Sequence, residues 1–213
     1  MSIQTIMKRF QLITILTVTV AFLVTGAFKV SQAQSPQTLF NGDVTHGGFG
    51  GPVVKIGDVA GSTGVWVGGR GGWIINLSDR HAISFGGGGY GLVTEHPVRP
   101  IDSDNEPIAM NGYGGFEIEY TNRSYRLVHL TVSSLIGGGG VMLRDHHYNN
   151  VNDDMDRYFV FEPGLNAELN ITKFIRISAG ASYRLTSGIS RFGFRDSDFS
   201  GLNGVITLKF GRF

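Results

Sequence analysis

From about residue 158 onward, apolar and polar side chains alternate with a period of two. In the segment 174–187, Ile175, Ile177, Ala179, Ala181, Tyr183 and Leu185 fall on one face, and Arg176, Ser178, Gly180, Ser182, Arg184 and Thr186 on the other. A helix would scatter these charges around its circumference, whereas a strand separates them. The segment before it repeats the pattern. Phe159, Phe161, Pro163, Leu165, Ala167, Leu169 and Ile171 share one face, and Glu162, Gly164, Asn166, Glu168 and Asn170 share the other. Thr172-Lys173 joins the two as a short hairpin connection.

Extending this reading outward predicts eight strands, at 52–59, 64–77, 81–93, 112–121, 126–142, 158–171, 174–187 and 202–213. Most reach the roughly 9–11 residues that a tilted strand needs to cross a bilayer. The connections 78–80, 122–125 and 172–173 are short, whereas 94–111, 143–157 and 188–201 are long and polar. Only the connection near Ala60 to Thr63 is brief on the long-loop side. Short turns at one end and long loops at the other are the layout of outer-membrane barrels. The fold class expected is all-β: an eight-stranded antiparallel up-and-down transmembrane β-barrel. A repeat supports hairpin units, because Gly69-Arg70-Gly71-Gly72-Trp73-Ile74-Ile75 recurs as Gly112-Tyr113-Gly114-Gly115-Phe116-Glu117-Ile118. Each copy leads into a strand with a four-glycine run, Gly86 to Gly89 and Gly137 to Gly140. Two copies are too few for a propeller.

The N-terminus changes the picture of location. Lys8 and Arg9 precede an uncharged, largely apolar run from Leu12 to Phe28, and Ser31-Gln32-Ala33 supplies small residues at a cleavage site. This is the layout of a secretory signal peptide over 1–33; the alternative is an uncleaved anchor. Residues 34–51 are then expected as a periplasmic segment and 52–213 as the barrel. After Phe28 no apolar run is long enough for a membrane helix. Removal of Lys8, Arg9 and Lys29 leaves 15 basic and 17 acidic residues, a net charge of about −2, and gives no sign of nucleic acid as a partner. The chain has no cysteine, so disulfides do not stabilise it.

Alternation does not say which face points inward, and a soluble lipocalin-like barrel would exchange the faces. Two features favour lipid outside. The polar face carries small residues (Gly68, Gly72, Gly164, Ser178, Gly180, Ser182), which fit the narrow interior of an eight-stranded barrel. Its charges also nearly balance, with Lys55, Arg70, Arg176, Arg184 and Lys209 against Glu117, Glu119, Glu162 and Glu168. Charges enclosed in a barrel must be paired, so these nine are expected to form a lumenal network and a polar plug, with Tyr and Asn filling gaps. The apolar face carries Trp73, Phe116, Tyr120, Phe159, Phe161, Tyr183 and Phe210, as an aromatic girdle would.

On these signals the chain from about Gly51 to Phe213 resembles the small eight-stranded outer-membrane barrels, the OmpX-like proteins and the membrane domain of OmpA-like proteins. The resemblance implies outer-membrane lipids and the barrel-insertion machinery as partners, the latter reading a last strand that ends in an aromatic residue. Here Ile206, Leu208 and Phe210 share a face and Phe213 is out of phase, which a bulge near Gly211 would restore.

Candidate chemistry is sparse. His129, Thr131 and Ser133 share the polar face and have the residue types of acyl transfer or hydrolysis, although a lumenal site lies away from lipid. Arg144-Asp145-His146-His147 and Asp153-Asp154-Met155-Asp156 offer oxygen and imidazole ligands without a calcium-loop or tetrahedral spacing. No helix follows the glycine runs, so they form no phosphate loop. The reading is a non-enzymatic barrel without metal or cofactor, in a structural or surface-interaction role centred on its loops. A lipid-modifying barrel enzyme and a secreted soluble barrel with an apolar ligand are the alternatives.

Overall fold

The computed structural model describes residues 45–94, 108–144 and 155–213. Eight strands form in chain order: β1 Thr45–Val59, β2 Ser62–Asn76, β3 His81–Leu92, β4 Ile108–Asn122, β5 Val128–Arg144, β6 Asp156–Asn170, β7 Ile175–Ser187 and β8 Gly201–Arg212. A four-residue helix, α1, spans Asp196–Phe199 before β8. Each strand pairs antiparallel with the next, and β1 pairs with β8, so the sheet closes as a barrel. Closure leaves no unpaired sheet edge. Strands of 12 to 17 residues exceed the length of a bilayer crossing.

The faces are sorted as the alternation requires. Ile177, Tyr183 and Leu185 of β7 point outward, while Arg176, Ser178, Ser182 and Arg184 are buried inside. On β6 the contrast is sharp: Leu165 is 55% exposed, whereas Glu168 is 1% exposed. Trp73, Phe116, Tyr120, Phe159 and Phe210 also lie on the outside. The two in-strand prolines, Pro52 and Pro163, fall in gaps of the β1–β8 and β6–β7 ladders, where a missing N–H costs no bond. Val59 pairs with Ser62 across Ala60-Gly61, both at positive φ, which matches the twist of a two-residue hairpin.

Three expectations need correction. β1 begins at Thr45, ahead of the expected 52, so 45–51 belong to the barrel and not to a periplasmic segment. Gly47, Gly48, Gly50 and Gly51 erase the apolar signal there, yet they pair with β2 in register. These glycines continue the glycine runs of β2 to β5 into one band, where strands approach closely: a Cβ at Gly86 or Gly137 would meet the carbonyl of Gly71 or Gly114. Second, no bulge occurs at Gly211, since β8 keeps one register with β1 through Arg212. Phe213 therefore stays on the inner face and packs with Phe49, Ile74 and Ala82. Third, the loop 188–200 is not purely a polar surface loop, because Ile189 and Phe199 are buried. The expected signal peptide, and most of the loops 94–111 and 143–157, lie outside the described residues.

Candidate functional site

Among the described residues, ionisable side chains from many strands converge in the interior. Glu162 of β6 takes a bond from Lys55 Nζ of β1 at 2.9 Å, from the Tyr113 hydroxyl of β4 at 2.7 Å and from Ser182 Oγ of β7 at 2.5 Å. Glu117 accepts from the Tyr90 hydroxyl at 2.5 Å. Arg70 Nε lies 2.8 Å from Glu117 in an ion pair whose angle misses a hydrogen bond, and its Nη2 donates to Glu119 at 2.9 Å. Lys209 of β8 reaches across the barrel to Glu119 at 2.6 Å and to Glu168 at 2.5 Å. Glu168 also receives Arg176 Nη1 at 3.0 Å. At least one charged partner on each carboxylate, with hydroxyl donors added on Glu117 and Glu162, offsets the desolvation that an isolated buried ion would suffer.

Arg184 stands apart. It has no carboxylate partner among the described residues, although it is 1% exposed. Its guanidinium stacks over Trp66 at 3.8 Å, its Nε donates to the Phe199 carbonyl at 2.6 Å, and its Nη1 reaches the Tyr113 hydroxyl at 3.4 Å. The fifth cation is thus held by an aromatic face and a carbonyl, a solution suited to the weakly hydrated guanidinium. Lys55 likewise lies 3.6 Å from the Tyr90 ring centroid.

Above Arg184 the filling becomes apolar. Val59, Trp66, Leu92, Val141, Val160, Ile189 and Phe199 form one buried cluster, with Phe192 and Phe194 against it. Loop 188–200 is held in place by Asp196 Oδ1, which accepts from Ile189 N at 2.8 Å, and by Asp156 Oδ2, which accepts from Ser190 and Arg191 N at 2.8 and 2.7 Å. Asp198 O accepts from Ala60 N at 2.8 Å, tying the loop to the β1–β2 turn. Two cavities among the charged groups measure about 10 and 20 Å³, room for about a water each.

The other candidates have their polar groups engaged. His129 is buried with Nε2 3.3 Å from Glu168 and Nδ1 3.1 Å from the Arg126 carbonyl. Both ring nitrogens are occupied, and neither is aimed at a hydroxyl. Of the acidic loop, Asp156 is spent on backbone amides, and 145–154 lie outside the described residues. Among the described residues no group of three metal-ligating side chains forms. Sequence reasoning placed Ser182 on the lumenal face and expected tyrosines in the gaps without naming Tyr90 and Tyr113, and it missed Trp66. Their inward phase on β2, β3, β4 and β7 was the available signal.

No family model matches the sequence, and no curated protein matches it either. Solved structures do. The Ail attachment invasion locus protein of Yersinia pestis, in complex with the heparin analogue sucrose octasulfate, superposes with a TM-score of 0.50 at 11% identity, covering 81% of this chain and 100% of Ail. This chain has the fold of the small eight-stranded outer-membrane barrels. Neisserial surface protein A aligns over 80% of this chain and 99% of its own, with a TM-score of 0.44 and 7% identity. A second Ail structure aligns over 79% and 97%, with a TM-score of 0.44 and 11% identity.

Proposed function

We propose that this protein is an integral outer-membrane barrel that neither conducts nor catalyses, and that serves envelope structure or surface interaction through its long loops. One observation carries the reading: ion pairs are enclosed in the cylinder while Ile56, Trp73, Phe116, Leu165 and Ile206 project outward. A water-soluble protein rarely exposes so continuous an apolar belt, and acyl chains are the solvent that suits it. The network of Lys55, Arg70, Glu117, Glu119, Glu162, Glu168, Arg176, Arg184 and Lys209 acts as a structural filling of the lumen. The short turns face the periplasm, the loops 94–111, 143–157 and 188–201 face outward, and partners dock there on a rigid scaffold. Export by the N-terminal signal and assembly by the insertion machinery belong to this reading.

The test is gel mobility in detergent before and after boiling, together with conductance in planar bilayers. A folded membrane barrel shifts its mobility on boiling and gives no stepwise current. Recovery in a soluble fraction without detergent, or no shift on boiling, defeats the proposal; ion steps defeat the sealed lumen alone.

A further inference from the structure

We infer that the turn end of the barrel carries a binding groove for an anionic phospholipid of the periplasmic leaflet, a proposal that rests on the membrane reading above. An open groove of about 510 Å³ lies between the β4–β5 turn, the β6–β7 turn and the end of β8. Lys173 and Arg212 flank it, Tyr125 and Phe174 supply aromatic surface, and Arg176 and Phe213 form its inner wall. The walls are fixed to one another: Asn170 Nδ2 donates to the carbonyls of Ser124 and Arg126 at 2.8 and 2.7 Å, and Gly211 N donates to the Phe174 carbonyl at 3.0 Å.

Charge selects the occupant. Around this rim stand Arg80, Arg123, Arg126, Lys173 and Arg212, all exposed, with Asp79 as the one acid among the described turn residues. None of the five cationic side chains forms an ion pair or hydrogen bond among the described residues, so no described acid is bound to any of them. Arg176 adds a buried Nε with no hydrogen-bond partner, while its guanidinium stacks 3.8 Å over the Phe213 ring. A phosphate between Lys173 and Arg212 would gain charge-assisted bonds. Phe174, 66% exposed, and Ile171 at the groove's outer lip continue the apolar belt, so an acyl chain attached to that phosphate runs onto lipid-facing surface. This pairing of cations with aromatic residues at a bilayer interface suits a lipid headgroup better than a free anion.

The full chain, refolded in detergent, is offered equal amounts of phosphatidylglycerol and phosphatidylethanolamine, and bound lipid is counted by native mass spectrometry. The wild type takes phosphatidylglycerol in preference. The double variant Lys173→Gln/Arg212→Gln loses that preference by about thirtyfold, as expected for two basic groups at a charged surface, and Lys173→Gln alone loses part of it. Arg80→Gln, outside the groove, keeps it. No preference in the wild type, a preference untouched in the double variant, or equal loss in Arg80→Gln overturns the proposal, the last by reducing it to diffuse rim charge. Loss of bound lipid to millimolar inorganic phosphate overturns it too, in favour of a phosphate site. Mobility before and after boiling is read on the same samples. Without a wild-type shift both readings fall together, whereas a shift without lipid preference removes the groove and leaves the barrel standing.

Discussion

At the turn end of the lumen, Arg70, Arg176 and Lys209 neutralise Glu117, Glu119 and Glu168. At the loop end, Trp66, Val141, Val160, Ile189 and Phe199 fill the same cylinder with one buried apolar cluster. The first filling comes entirely from strands, whose inward positions are fixed by closure. The second needs the loop 188–200 to fold back into the mouth. Strand-borne charge is therefore built into the barrel, whereas the apolar stopper depends on a segment that has to be seated. Arg184 joins the two, with its ring contact on one side and Tyr113 on the other.

The largest effect should come from the charged half. Glu168→Ala leaves Lys209, Arg176 and His129 without their shared acceptor, and removing one partner of a buried pair costs about 3–5 kcal/mol. Urea unfolding from lipid vesicles measures this. A loss under about 1 kcal/mol would mean that water already solvates the turn end. Phe199→Ala comes next, at about 3 kcal/mol for the emptied apolar site. In a Trp73→Phe background it should also shift Trp66 emission to the red, because Phe199 and Trp66 belong to one buried cluster. An unshifted spectrum would show that the mouth stays dry without the loop. Asp196→Ala removes the acceptor for Ile189 N and should cost about 1 kcal/mol. Its readout is faster proteolytic cutting within 188–200, with the mobility shift on boiling retained. Equal resistance to the protease would mean that Asp156 alone seats the loop.

The division between the halves also marks what could be read from the chain. Barrel closure, strand number and the inward phase of Arg176, Glu168 and Lys209 were legible because apolar side chains recur at every second position on β6, β7 and β8 and these charges fall between them. Which acid meets which base was not, because Lys209 and Glu119 are brought face to face by curvature across the lumen and not by spacing. The stopper was illegible for a different reason. Ile189 and Phe199 are isolated apolar residues in a polar stretch, with no period to betray their burial. The start of β1 was lost because glycine leaves no side chain to alternate, and only the pairing of Gly50 with Gly71 and of Gly51 with Arg70 places it in the sheet.

Most of these ionic contacts join strands that are not neighbours: Lys55 on β1 with Glu162 on β6, Arg70 on β2 with Glu119 on β4, and Lys209 on β8 with Glu119. Among the described residues only the β6–β7 hairpin pairs a lumenal Arg with a lumenal Glu within itself, Arg176 with Glu168; the other Lys and Arg contacts need strands from different hairpins. A half-formed curtain of strands entering hydrocarbon would drag bare ammonium and carboxylate groups with it, a deficit that lasts until the last strand brings Lys209 to Glu119 and Glu168. Assembly is driven toward all-or-none behaviour, with intermediates confined to the wet surface of the bilayer.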